Sequence, residues 1–212
     1  MIAKVQSYAL LGLEGVPVTV EADVSNGLPS YDVVGLPDAA VKESKERVKS
    51  AVKNSAIPFP THKIIVNLAP AYVKKEGTAF DLPIAISILL ASGALSKTPE
   101  GVVFFGELSL NGELRPVKGV LPTLISARDK GFTKFGLPYE NRNEAGDKGV
   151  TQFVVPKANE KEASFVRGVS VYAASTLQEV VDHISGLTPL SQVPEAEFSI
   201  RKEGKTSAFD LS

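Results

Sequence analysis

The sequence predicts an α/β (α+β) fold in which helices pack on a mixed sheet. Three observations lead there. The chain opens with a strand meander, including VPVTVEADVS with Val16, Val18 and Val20 alternating against Pro17, Thr19 and Glu21. From KIIVNLAP onward, short β-branched runs alternate with helical stretches, the pattern of a layered α/β domain. The chain has 212 residues, 43% of them hydrophobic, enough to bury a sizeable core.

In order, VQSYALLGL and VPVTVEADVS read as two strands, NGLPS as a turn, and YDVVGLP as a third strand ending at Gly35-Leu36-Pro37. Asp38 is placed as the N-cap of a helix running to about Asn54. On a 3.6-residue period Val41, Val48 and Val52 share its buried face. PFPTH interrupts the chain, KIIVNLAP is a strand, and an apolar helix is predicted from Asp81 to Ala94. Asp81 is expected to cap it or favour its N-terminus, with Leu82, Ile84, Ala85, Ile88 and Leu89 as its buried face. VVFFGELSLNGELRP reads as a strand and a hairpin, with Asn111-Gly112 signalling a type I′ turn. VKGVLPTLISARDKG is a helix ended by Gly131. TKFGLP, TQFVVP and VSVYAAS are short strands, and TLQEVVDHISG is a last amphipathic helix. Residues 1–187 form the folded domain. Residues 188–212 carry prolines and charges without sustained period and read as a linker or tail.

Bulk chemistry narrows the function classes. The net charge of −1 gives no global pull toward nucleic acid or membrane, so such a partner needs a local basic patch. With no Cys, disulfides and thiol catalysis are excluded. The two histidines, His62 and His183, lack metal-ligand spacing, and no metal site is expected. MIAKVQSYALLGLEG has no long apolar run after its lysine and reads as no signal peptide. The run from Leu82 to Leu95 is interrupted by Pro83 and Gly93 and is too short to span a bilayer. A cytoplasmic protein with no membrane partner is the expectation.

GKT at Gly204–Thr206 is not a phosphate loop: Ser199 stands where the pattern requires its first glycine, and no strand and helix flank it. No cofactor is expected in this chain. A stripe of Lys42, Lys45, Lys49 and Lys53 on the first helix is the clearest local positive charge. It is read either as a phosphate-contacting face or as a solvated face relieved by Lys42–Glu46 and Glu43–Arg47 pairs.

The stretch KKEGTAFDLPIAISILLASG sends a glycine-containing loop straight into an apolar helix, and FFGELSLNGELRPVKGVLPTLISARDKG follows it. This order resembles the proteolytic domain of Lon-type proteases and the related C-terminal domain of the recombination protein RadA. The resemblance implies a Lon proteolytic-domain-like, ribosomal protein S5 domain 2-like fold. That family uses a Ser–Lys dyad. Setting Lys75-Glu76-Gly77 on the family's Lys-Asp-Gly puts Ala79 at the nucleophile, and setting Gly106-Glu107 and Pro116 on their counterparts puts Leu121 at the lysine. Neither side chain can attack a carbonyl or move a proton, so no catalytic residue is expected. Thr78 or Ser87 with Lys118 is the only substitute pairing, and Ser87 reads as a packed core serine.

Nearly the whole chain, from YALLGLEGVPVTVEADVSNGLPSYDVVGLPDAAVKESKERVKSA through IIVNLAPAYVKKEGTAFDLPIA to GELSLNGELRPVKGVLP, is similar to the N-terminal domain of the YifB/ComM family, often labelled magnesium-chelatase-like (ChlI-like). That similarity implies a Lon-like domain placed before an AAA+ ATPase module, with ATP and Mg bound by that module and not by this chain. It implies hexameric rings and, for the ComM type, a DNA helicase driving branch migration in natural transformation. The chain then serves as a non-catalytic platform for ring assembly and for single-stranded or branched DNA. The candidate DNA contacts are Lys42, Lys45, Lys49, Lys53, Arg115 and Lys118. The competing expectations are an assembly module without DNA contact and a peptidase relic with residual activity.

Overall fold

A computed structural model describes residues 1–96, 101–130 and 152–196. The strands are β1 (Ile2–Leu11), β2 (Glu14–Ser25), β3 (Ser30–Val34), β4 (Lys63–Ala69), β5 (Val102–Phe104), β6 (Glu107–Leu108), β7 (Leu114–Arg115), β8 (Gln152–Pro156) and β9 (Ser170–Ala174). The helices are α1 (Ala39–Asn54), α2 (Asp81–Ser92), α3 (Val120–Lys130), α4 (Glu160–Ala163) and α5 (Leu177–Ser185). Seven strands form one mixed sheet in the order β3-β4-β2-β1-β5-β8-β9. The meander pairs are antiparallel, β1 with β2 and β2 with β4. The pairs made after a crossover are parallel: β3 with β4, β1 with β5, β5 with β8, and β8 with β9.

Strand alternation splits the core into two layers. Along β5 and β8, Val102, Phe104 and Val154 face one apolar cluster, while Val103, Phe153 and Val155 face the other. The first cluster takes Val41, Val48 and Val52 of α1, most of α2, and Leu177 and Val180 of α5. The second takes Val120, Leu124 and Ala127 of α3 with Ala163 of α4. Helices therefore cover both faces of the sheet, the layered architecture expected from the alternating pattern.

Helix α1 begins as its sequence requires. The Asp38 carboxylate accepts from the Val41 N–H at 2.8 Å, and the buried valines are those of the 3.6-residue period. Before it, Gly35 lies against the Leu68 backbone with φ 95°; a Cβ there would stand 2.2 Å from the Leu68 carbonyl oxygen. Only glycine fits that corner.

Several expectations need correction. Helix α2 has no single buried face: every residue from Asp81 to Ala91 is buried, so Ile86 and Leu90 join the core, and Ser87 is the packed core serine expected. It ends at Ser92, with Gly93 as a left-handed C-cap. Asp81 makes no capping bond; its carboxylate is committed elsewhere. The β6–β7 hairpin forms, but not through a type I′ turn, which needs positive φ at both central residues. Gly112 has φ 86° and Asn111 does not share that conformation; the Gly112 N–H closes on the Ser109 carbonyl at 3.0 Å, and Leu108 pairs with Leu114 beyond the loop. The residues just after 187 are not a free linker up to Ala196. The Leu190 N–H donates to His183 Nδ1 at 3.1 Å, Val193 is buried with its N–H on the Val171 carbonyl, and the Ala196 N–H reaches the Ser164 carbonyl. TKFGLP, the Gly131 helix end and the GKT stretch lie outside the described residues.

Candidate functional site

The loop from Lys74 to Phe80 enters α2 beside the strand-hairpin segment at Gly106–Leu108. Backbone bonds join them: the Gly106 N–H donates to the Ala79 carbonyl at 3.1 Å, and the Leu82 N–H to the Gly106 carbonyl at 3.0 Å. The two positions set on the protease dyad, Ala79 and Leu121, are both half-buried and pack on the second apolar cluster. Both positions carry hydrocarbon side chains. Among the described residues, Thr78 and Ser87 make their hydrogen bonds to groups other than Lys118. The Thr78 hydroxyl bonds the Glu107 carboxylate at 2.5 Å, whose other oxygen lies 3.8 Å from Arg115. Ser87 is fully buried and bonds the Ile84 carbonyl, and Lys118 is exposed.

Two buried charges hold this loop. Asp81 is 1% exposed and receives both arms of the Arg47 guanidinium, Nε to Oδ2 at 2.7 Å and Nη2 to Oδ1 at 2.9 Å, with the Leu108 N–H on Oδ2 at 3.1 Å. Burial pushes its carboxyl up from 3.8 to about 6 despite the arginine, which pulls it down. Lys75, also buried, caps the carbonyls of Gly35 and Pro70 with its ammonium, and burial draws its pKa down. Its backbone bonds Leu36 and Asp38, and the Asp38 carboxylate takes the Gly77 N–H at 3.0 Å. The entry to α1 and the loop into α2 are thus one unit. Sequence reasoning named both residues but missed their burial and their partners. Arg47 was assigned to Glu43, one turn away, and Asp81 to the helix N-terminus, because their true partners lie 34 residues apart in sequence.

The lysine stripe divides. Lys45 is half-buried, 3.6 Å from Asp32 and with its ammonium 5.8 Å from the Tyr31 ring centre. Lys42, Lys49 and Lys53 are exposed and enter no ion pair among the described residues. The relieving pairs Lys42–Glu46 and Glu43–Arg47 do not form; Arg47 turns to Asp81 instead. Alongside the stripe runs a groove of about 550 Å³ between α1 and the Pro29–Tyr31 and Phe59–His62 segments, with Lys45, Glu46, Lys49 and Lys53 on one wall. Arg115 and Lys118 belong to the hairpin and the entry of α3 rather than to this groove. Tyr31 and Phe59, which build the opposite side, carried no signal in the sequence beyond a strand and a proline-broken turn.

A mixed seven-stranded sheet with helices on both faces, carrying a glycine loop into α2 and a short hairpin against it, is a Lon-protease-like domain. Similarity to Lon proteases fits this: Lon protease 2 of Bacillus subtilis is 28% identical over 200 residues, 89% of this chain and 32% of the relative. The family described as subunit ChlI of Mg-chelatase matches residues 20–141, more than half of the chain, and the chain belongs to that family. Its relatives include competence protein ComM of Haemophilus influenzae, 37% identical over 214 residues, covering 100% of this chain and 38% of the relative. A protein named YifB of Salmonella typhimurium is 46% identical over 127 residues, 59% of this chain and 25% of the relative. The chain thus spans about a quarter to two-fifths of the length of these relatives. No helix among the described residues is long and apolar enough to cross a membrane.

Proposed function

We propose that this chain is the non-catalytic N-terminal platform of a ring-forming AAA+ DNA helicase of the ComM type, and that it contacts DNA phosphates through α1. The observation that carries the reading is the similarity to competence protein ComM along the entire chain. The site chemistry supports it. Ala79 and Leu121 offer no nucleophile and no base, so the Lon-like scaffold is used for its shape. Lys42, Lys49 and Lys53 are exposed and unpaired among the described residues, which is what non-specific phosphate contact needs. ATP and Mg would be held by a module beyond this chain. A ring of six copies would multiply a modest patch by avidity.

A second reading, an assembly module without DNA contact, draws support from the net charge of −1 and from exposed Leu36 and Tyr72 beside the α1 entry. Anisotropy of labelled single-stranded and forked DNA, titrated with salt against the chain, separates the two. Binding that weakens with salt supports the platform. Self-association without any DNA binding supports the assembly module.

A further inference from the structure

We propose that the groove beside α1 seats an unpaired nucleic-acid strand, with phosphates on Lys49 and Lys53 and bases against the Phe59–Pro60 side. This rests on the platform reading above and narrows it from DNA in general to a strand with exposed base faces.

The charge pattern argues first. Lys49 and Lys53 are one helical turn apart, so their ammonium groups repeat at about 6 Å along the axis, a stride suited to successive phosphates of an extended strand. Lys45 is already engaged by Asp32, and Glu46 stands on the same wall. Two free cations beside a carboxylate cannot hold the dense phosphate array of a duplex. Most of the binding energy must therefore come from the opposite side of the groove.

That side is apolar and concave. Pro29, Tyr31, Phe59, Pro60 and Ile64 line it together with His62. Tyr31 and Phe59 are ring neighbours, centroids 6.2 Å apart. A duplex buries its base faces internally and, being convex, touches only the rim of such a groove. An unpaired strand offers π-faces that aromatic and proline surfaces can cover. The Tyr31 hydroxyl is buried away from the groove, so the residue offers the groove its ring and not its polar tip.

The test uses the chain with a fluorescein-labelled oligo-dT, an oligo-rU of the same length, and a duplex of that length. Three variants accompany it: Lys49→Gln/Lys53→Gln, Phe59→Leu, and Phe59→Trp. The chain has no tryptophan, so Phe59→Trp places a single emitter in the groove wall and reads stacking even if Phe59→Leu folds poorly. Oligo-dT should bind about tenfold tighter than duplex, Phe59→Leu should weaken it about tenfold, and Phe59→Trp emission should quench with oligo-dT alone. Equal binding of duplex, with unchanged Phe59→Trp emission, overturns the groove assignment; if that binding is still lost in Lys49→Gln/Lys53→Gln, the platform reading survives it. Binding of oligo-rU but not oligo-dT keeps the groove and removes the DNA platform. No binding of any probe into the high micromolar range overturns both.

Discussion

Replacing Arg47 by methionine should destabilise the domain sharply, and by an amount that depends on pH. Methionine keeps most of the aliphatic stem and removes the guanidinium. What remains is a carboxylate 1% exposed, holding only the Leu108 N–H. Breaking a buried pair from one side typically costs about 3–5 kcal/mol, because the surviving charge is stranded. The lost Arg47 bond to the Ala40 carbonyl, 3.0 Å in the native domain, adds about 1 kcal/mol. The sign of the pH dependence follows from Asp81. Its folded-state pKa, about 6, lies above the ordinary 3.8, so the folded state holds the proton more tightly and stability from this group falls as pH rises from about 4 through about 6. Removing Arg47 raises that pKa further, since both arginine contributions lower it. At about pH 8, two units above the native pKa, the charge-dependent part of the loss therefore reaches at most about 2.7 kcal/mol, because Asp81 escapes a larger penalty by keeping its proton. At about pH 5 Asp81 is protonated, and only the smaller loss of roughly 1 kcal/mol persists. Urea unfolding followed by far-UV circular dichroism at the two pH values reads both numbers. Adding Asp81→Asn, which keeps an acceptor for the Leu108 N–H, should recover most of the loss at the higher pH. A loss that is the same at both pH values, or under about 1 kcal/mol at pH 8, would refute the stranded-charge reasoning.

Two further outcomes follow from the same geometry. Gly35→Ala should cost about 3 kcal/mol, from left-handed backbone strain plus the clash with the Leu68 carbonyl, read as a lowered urea midpoint with unchanged slope. Ala79→Ser with Leu121→Lys should not produce peptidase activity, because Thr78 and Glu107 are bonded to each other and no shell orients a new dyad; cleavage of a fluorogenic peptide by the double variant and not by the parent would contradict this.

What could be read from the sequence was mostly local. Asp38 and the Val41, Val48, Val52 period define α1 because a cap and a 3.6-residue stripe act over one to four turns. The β6–β7 hairpin was legible as a hairpin, but its turn class was not: Asn-Gly marks a reversal, and the five-residue connection set by the Leu108–Leu114 register chose the backbone. Helix α2 was legible as an apolar helix, with a buried face assigned to five of its residues. In the structure Ser87 satisfies itself on the Ile84 carbonyl and Asp81 on Arg47, so both are buried without an exposed face. The long-range features could not be seen locally. The Arg47–Asp81 pair joins two helices 34 residues apart in sequence, and Lys75 reaches back 40 residues to Gly35. The groove needs Tyr31 from a strand and Phe59 from a broken turn to meet beside α1. Ala79 and Leu121 were paired through a family resemblance, and the structure brings both to one apolar cluster. The lysine stripe was legible as composition, but which lysines are free was decided by Asp32 on the neighbouring strand.

The most direct test of the platform account is the salt dependence of single-stranded DNA binding by the chain and by a Lys42→Glu/Lys49→Glu/Lys53→Glu variant, which leaves the engaged Lys45 untouched. Each free lysine that displaces a counterion contributes about 0.7 to the logarithmic salt slope on a single strand. The account predicts a parent slope of about −2 and near-complete loss of binding in the variant, with its unfolding curve unchanged. Equal affinity and equal slope in both proteins would contradict it, and would move any DNA contact off α1.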